Sequence, residues 1–137
     1  MTYSHISIFP HAKDQYHYVQ GRVYQTFGPK PRFVKVPTHD NGTRRFAFLQ
    51  GILKGRIQQH VHTCEVKVID RQSRSHLFYI FFKNHCHLPT NWTVLGLSGR
   101  KIWNGDIVIL HASATSDGVV NMRGKDAKLA DFALKRY

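Results

Sequence analysis

The run TCEVKVIDRQSRSHLFYIFF, residues 63–82, constrains the fold of this chain more than any other stretch. Cys64, Val66 and Val68 alternate with Glu65 and Lys67. Successive side chains of a strand point to opposite faces, so this alternation is the signature of a half-buried strand. RQSRS is a polar turn, and HLFYIFF is apolar at both parities, as a strand covered on both faces must be. Together they read as a β-hairpin. Assigning Val66, Val68, Phe78, Ile80 and Phe82 to the core turns Lys67, Tyr79 and Phe81 outward.

Around this hairpin the other elements fall into order. RRFAFLQGILKGRIQ, from Arg44, reads as a long strand bent at Gly51 and Gly55. LPTNWTVLGLSG reads as a short helix with Thr90 as N-cap and Gly96 as its stop. GDIVILHA and VVNMR, joined through TSDG, form a second hairpin. In KDAKLADFALKRY, Leu129, Phe132, Ala133 and Arg136 recur at helical spacing. Asp126 at the start and Lys135 and Arg136 at the end suit the helix dipole. The spacing predicts a helix over 125–137 with Leu129 and Phe132 buried.

Residues 1–42 differ in character. They hold Pro10, Pro29, Pro31 and Pro37 and end in HDNGT. Proline lacks a donor and fixes φ, so FGPKPRFVKVP is expected as polyproline or edge-strand structure. YVQGRVYQTF, residues 18–27, is an accessory strand on this reading. The organisation is an extended N-terminal arm, 1–42, with a mobile first fifteen residues, packed on one domain, 43–137.

The order from Arg44 is strand, strand, strand, short helix, strand, strand, terminal helix. This resembles the OB-fold, and WNGDIVIL resembles the entry to its fourth strand. The resemblance implies a mainly-β chain: a five-stranded OB-like Greek-key barrel over residues 44–137, with a short helix between strands three and four and a C-terminal helix. The last helix is similar to that of small single-OB subunits of replication-protein-A-like complexes. It implies a second protein subunit as partner through that helix.

Charge points to the ligand. Twenty Lys and Arg oppose eight Asp and Glu, a formal +12. A field of that sign attracts polyanions, so single-stranded DNA or RNA is the expected partner. OB-folds bind oligonucleotides across strands two and three, using cations for phosphates and aromatic rings for bases. The candidate contacts are Lys54, Arg56, Lys67, Arg71, Arg74, Tyr79 and Phe81, with Arg100 and Lys101 in the loop between Trp92 and Trp103. Internal cover of Tyr79 and Phe81 by the arm or the terminal helix is the competing reading. Trp103 reads as a barrel plug.

No metal, cofactor or catalytic group is expected. HVHTC and HCH lack C-x-x-C or H-x-x-x-H spacing, although His60, His62, Cys64, His85 and His87 supply an alternative zinc or other divalent set if the strand ends meet. HVH also resembles the metal motif of HUH nucleases, which implies a metal-dependent single-strand nuclease as an alternative. That family needs a helical tyrosine beside the metal; Tyr79 falls in a strand and Tyr137 is the last residue. Glu65 is the one glutamate, which starves paired-carboxylate chemistry. A protein-protein interaction module is the third reading. The longest apolar run, LFYIFF, is far short of the ~20 residues a membrane helix needs. With no signal-peptide pattern and two cysteines, the expectation is an intracellular protein, nuclear or cytoplasmic, without membrane association.

Overall fold

A computed structural model describes residues 15–28, 30–41, 44–47, 49, 52–53, 61–98, 102–113 and 118–137. Among them the order is β1 (Gln15–Tyr24), β2 (Arg32–Asn41), β3 (Arg44–Ala47), β4 (His62–Ile69), β5 (Ser75–Phe82), α1 (Trp92–Ser98), β6 (Ile107–Ala112), β7 (Val119–Val120), a 3-10 turn (Gly124–Asp126) and α2 (Ala127–Arg136). The first fourteen residues of the expected arm and most of the bent strand, 54–58 included, lie outside this set.

The protein is mainly β. Strands run antiparallel in the order β3-β2-β1-β6-β5-β4, and β7 pairs with the end of β6. Both expected hairpins form, and α1 lies between β5 and β6 in sequence as anticipated. The sheet is open: among the described residues no ladder joins β3 to β4.

Residues 15–24 and 32–41 enter this sheet as strands. β1 is interior, bonded to β2 on one side and β6 on the other. β2 pairs with β1 over Arg32–Asp40, but β3 joins it only from Thr38 to Asn41, so, among the described residues, 32–37 carry a ladder on one side alone, the edge setting that the prolines suggested. Pro37 is tolerated because of where it sits. It faces Tyr18 of β1, and the ladder to β3 begins only at the next residue, Thr38.

Apolar residues at both parities of β5 and β6 follow from two cores, one on each side of the sheet. Phe78, Ile80 and Phe82 join Ile107 and Ile109 in the first, beneath Ala130, Ala133 and Leu134 of α2. Val108 and Leu110 face the second, with Val19, Val23 and Val36 from β1 and β2 and with Leu49 and Leu53. Each fully buried aliphatic or aromatic side chain contributes about 1.5–3 kcal/mol of transfer free energy. Residues 15–41 therefore supply part of a core.

Two helix details differ from expectation. The N-cap of α1 is Asn91, not Thr90: its Oδ1 accepts the Val94 N–H at 3.0 Å, while its Nδ2 donates to Tyr24 O and Gly105 O at 2.8 and 2.7 Å. A side-chain amide can cap the helix and bond two strand-end carbonyls together, which a threonine hydroxyl cannot. Gly96 lies inside the helix, which runs on to Ser98. In α2 the buried stripe is Ala130, Ala133 and Leu134; Leu129 is only half-buried, and Phe132 is 52% exposed. The two alanines let the helix lie close to the sheet, which turns Phe132 to solvent.

Candidate nucleic-acid interface

In antiparallel strands, directly opposed residues share a face. The pairs Thr63–Phe81, Glu65–Tyr79 and Lys67–Leu77 therefore place Lys67, Tyr79 and Phe81 on one surface, the side of the second core. The β4 positions on this surface, Thr63, Glu65, Lys67 and Ile69, are exposed. Tyr79 and Phe81 are half-buried and pack against the second core, their rings 6.3 Å apart and inclined by 59°. Each ring thus serves the interior and still borders the exposed strip. They pack on the side of the second core, away from the terminal helix, whose Ala130, Ala133 and Leu134 lie in the first.

The cations divide into free and committed groups. Lys67 is exposed, and its backbone carbonyl accepts Arg136 Nη1 at 2.9 Å. Arg71 is exposed at the tip of the β4–β5 turn. Arg74 is held by that turn: its Nε donates to Asp70 Oδ2 at 3.1 Å and its Nη2 to Gln72 Oε1 at 2.6 Å. Asp70 organises the loop, accepting the Gln72 and Arg74 N–H groups, each at 2.9 Å. A hydrogen bond from His76, followed by the bond from the Arg74 backbone, lowers its carboxyl to about 2. Lys54, Arg56, Arg100 and Lys101 lie outside the described residues.

Another aromatic pair was not assigned from the sequence. Phe27 is 76% exposed and Trp92 57%. The segments carrying them are bonded together: Trp92 N–H donates to Thr26 O at 3.0 Å, and the single Thr93 hydroxyl proton is shared between the carbonyls of Gln25 and Gly28. A large apolar ring directly before GPKP, in a turn, was the available signal for Phe27. Trp103 is buried, edge-on to Phe82 at 4.9 Å and to Tyr137 at 5.7 Å.

A histidine pair also escaped the sequence. His76 bonds Asp70 at 2.9 Å, and its ring lies 5.6 Å from that of His111. His111 stacks on Phe78 at 5.1 Å and stands 3.8 Å from Asp126. Burial pushes the His111 pKa down, and the charge of His76 adds to this while Asp126 opposes it.

Among the described residues, His62 and Cys64 of the alternative metal set do not join His85 and His87. His62 stacks on Phe82 at 5.5 Å, and Cys64 packs against the first core, where Tyr137 contacts it. His60 lies outside the described residues. The group that does come together is the tripeptide His85–Cys86–His87, whose ligand atoms all lie within 4.8 Å of one another. As for the tyrosine of an HUH-like centre, Tyr79 lies on the opposite side of the sheet from His62, and Tyr137 packs on Phe82 and Trp103. No helix among the described residues is long and apolar enough to cross a membrane. No protein-family model matches the chain, and no curated protein or solved structure shows significant similarity to it.

Proposed function

We propose that this protein binds single-stranded nucleic acid without catalysing a reaction, through the surface of β4 and β5 that carries Lys67, Tyr79 and Phe81. The observation that carries the reading is the register. It puts Lys67 and the half-buried rings of Tyr79 and Phe81 on one face of the hairpin, in a chain of charge +12. Phosphates need cations and bases need π-faces, and this strip offers both. Arg71, at the end of the strip, extends its positive charge; Arg74, tied to Asp70, shapes the turn more than it binds.

In the OB-like reading, β4 and β5 are strands two and three, the pair that contacts oligonucleotides in that fold. A closed barrel belongs to this proposal and would need residues 54–60 to complete it. DNA or RNA as ligand implies an intracellular setting, nuclear or cytoplasmic. A protein-interaction reading has its own support in Phe132, an exposed phenylalanine on the terminal helix.

The test is a fluorescence-anisotropy titration of a twelve-nucleotide strand at several salt concentrations. Three phosphate contacts give a slope of log affinity on log salt of about −2, at roughly −0.7 per contact. Absence of binding at low salt sinks the proposal and leaves the protein-interaction reading.

A further inference from the structure

We propose that the turn His85–Cys86–His87 is a binding site for a thiophilic d10 metal ion, zinc(II) first among them. The donor set is two imidazoles and one thiol, which suits zinc or copper(I) and not the oxygen-seeking magnesium or calcium. A tetrahedral zinc ion, with bonds of about 2.0–2.1 Å to nitrogen and 2.3 Å to sulfur, sets its donor atoms about 3.4–3.6 Å apart. Here they lie within 4.8 Å of one another, so side-chain rotation of about an ångström completes the set. The same bond lengths put two imidazoles on one ion with ring centres roughly 5 Å apart. The His85 and His87 rings are 4.9 Å apart.

The turn is already shaped for this. His85 Nδ1 accepts the His87 N–H at 3.2 Å, so that lone pair points inward. A metal would take it in place of a long hydrogen bond. Leu88 N–H donates to His85 O at 2.9 Å and closes the turn. On its other flank Asn84 has a φ of 40°, and its Oδ1 accepts the Asn104 N–H at 3.0 Å. Cys86 is exposed, so an ion from solvent reaches it directly. On binding, the thiol releases its proton to solvent as the S–metal bond forms, and affinity rises with pH. Three protein ligands leave the fourth position to water or an incoming donor.

The experiment uses the full chain, stripped with chelator and titrated with cobalt(II) as a spectroscopic probe, then with zinc(II) in competition. One cobalt per chain is expected, with a thiolate-to-cobalt charge-transfer band that one equivalent of zinc abolishes. Cys86→Ser loses that band, and His85→Ala combined with His87→Ala loses stoichiometric binding. Cys64→Ser and His62→Ala keep both. Circular dichroism establishes that each variant is folded. No band in the unmutated chain, one metal per two chains, or a band lost in Cys64→Ser and kept in Cys86→Ser overturns the site.

Discussion

Asp131 on α2 receives both ends of the Arg22 guanidinium from β1, Nε at 2.8 Å and Nη2 at 3.2 Å, and the Tyr24 hydroxyl donates to the same carboxylate at 2.6 Å. The two charged side chains are 12% and 21% exposed. This contact joins residues 109 positions apart and fixes the angle at which the terminal helix lies on the sheet. It also explains why β1 belongs to the domain. Removing one partner leaves a largely buried charge alone, which costs far more than the pair contributes.

Asp131→Asn should therefore lower the unfolding free energy by about 3 kcal/mol. Tyr24→Phe, which removes one hydrogen bond, should cost about 1 kcal/mol. The double variant Arg22→Met with Asp131→Leu should be less destabilised than the sum of its single changes. Urea denaturation of these variants, with the single changes Arg22→Met and Asp131→Leu included, checks this. Strict additivity would mean that the pair is not coupled.

The helix also makes a sharp contrast between neighbours. Leu134 is fully buried in the first core, whereas Phe132 is half-exposed. Leu134→Ala should cost about 2–5 kcal/mol through lost burial and a cavity. Phe132→Ala should stay within about 0.5 kcal/mol. Equal losses, measured by thermal or urea unfolding, would mean that Phe132 is packed.

These two residues show where sequence periodicity stops being informative. The existence of α2 was legible, since Leu129, Phe132, Ala133 and Arg136 repeat at helical spacing. Its buried face was not, because two alanines carry the contact and a hydrophobic scale ranks them below phenylalanine. Hairpin β4–β5 was legible through the alternation at Cys64, Val66 and Val68. The neighbours of β1 were not, because YVQGRVYQTF offers a strand but no local pattern names β6 as its partner, whereas the prolines did point to the one-sided ladder at 32–37. The common face of Lys67, Tyr79 and Phe81 followed from parity alone. The half-burial of Tyr79 and Phe81 comes from a core that gathers β1, β2, β6 and Leu49 and Leu53, distant segments that no local pattern brings together.

Stability should fall as the solution is acidified from neutral. His111 on β6 faces His76, Asp126 and Arg123, and burial holds its pKa below the usual 6.5. Between that lowered value and 6.5 the unfolded chain binds more protons, so stability rises with pH there. Its contribution is complete above 6.5 and is lost as the pH falls toward the folded-state value. Asp70 acts in a lower window: its contribution is present above about 4 and disappears as the pH falls toward about 2. Urea midpoints at neutral and mildly acidic pH should differ for the unmutated chain, and the difference should shrink in His111→Gln. An unchanged difference would remove His111 from this role.

Charge and stacking should be separable on the β4–β5 strip. Lys67→Ala removes one phosphate contact, so the salt slope should become shallower by about 0.7 with little change in base preference. Tyr79 needs a different substitution, because it packs against the second core and alanine would destabilise the fold as well as the interface. Tyr79→Leu keeps an apolar side chain against the second core while removing the π-face. Lost base stacking costs about 1–3 kcal/mol of affinity and releases no ions. The leucine variant should therefore bind weaker by about tenfold or more at an unaltered salt slope, with its melting temperature nearly retained. Trp92→Ala supplies the comparison, since Trp92 is 57% exposed and lies outside the strip. Bases seated on β4 and β5 leave its affinity intact. An affinity loss in Trp92→Ala with none in Tyr79→Leu would move the stacking platform to the Phe27–Trp92 end of the sheet.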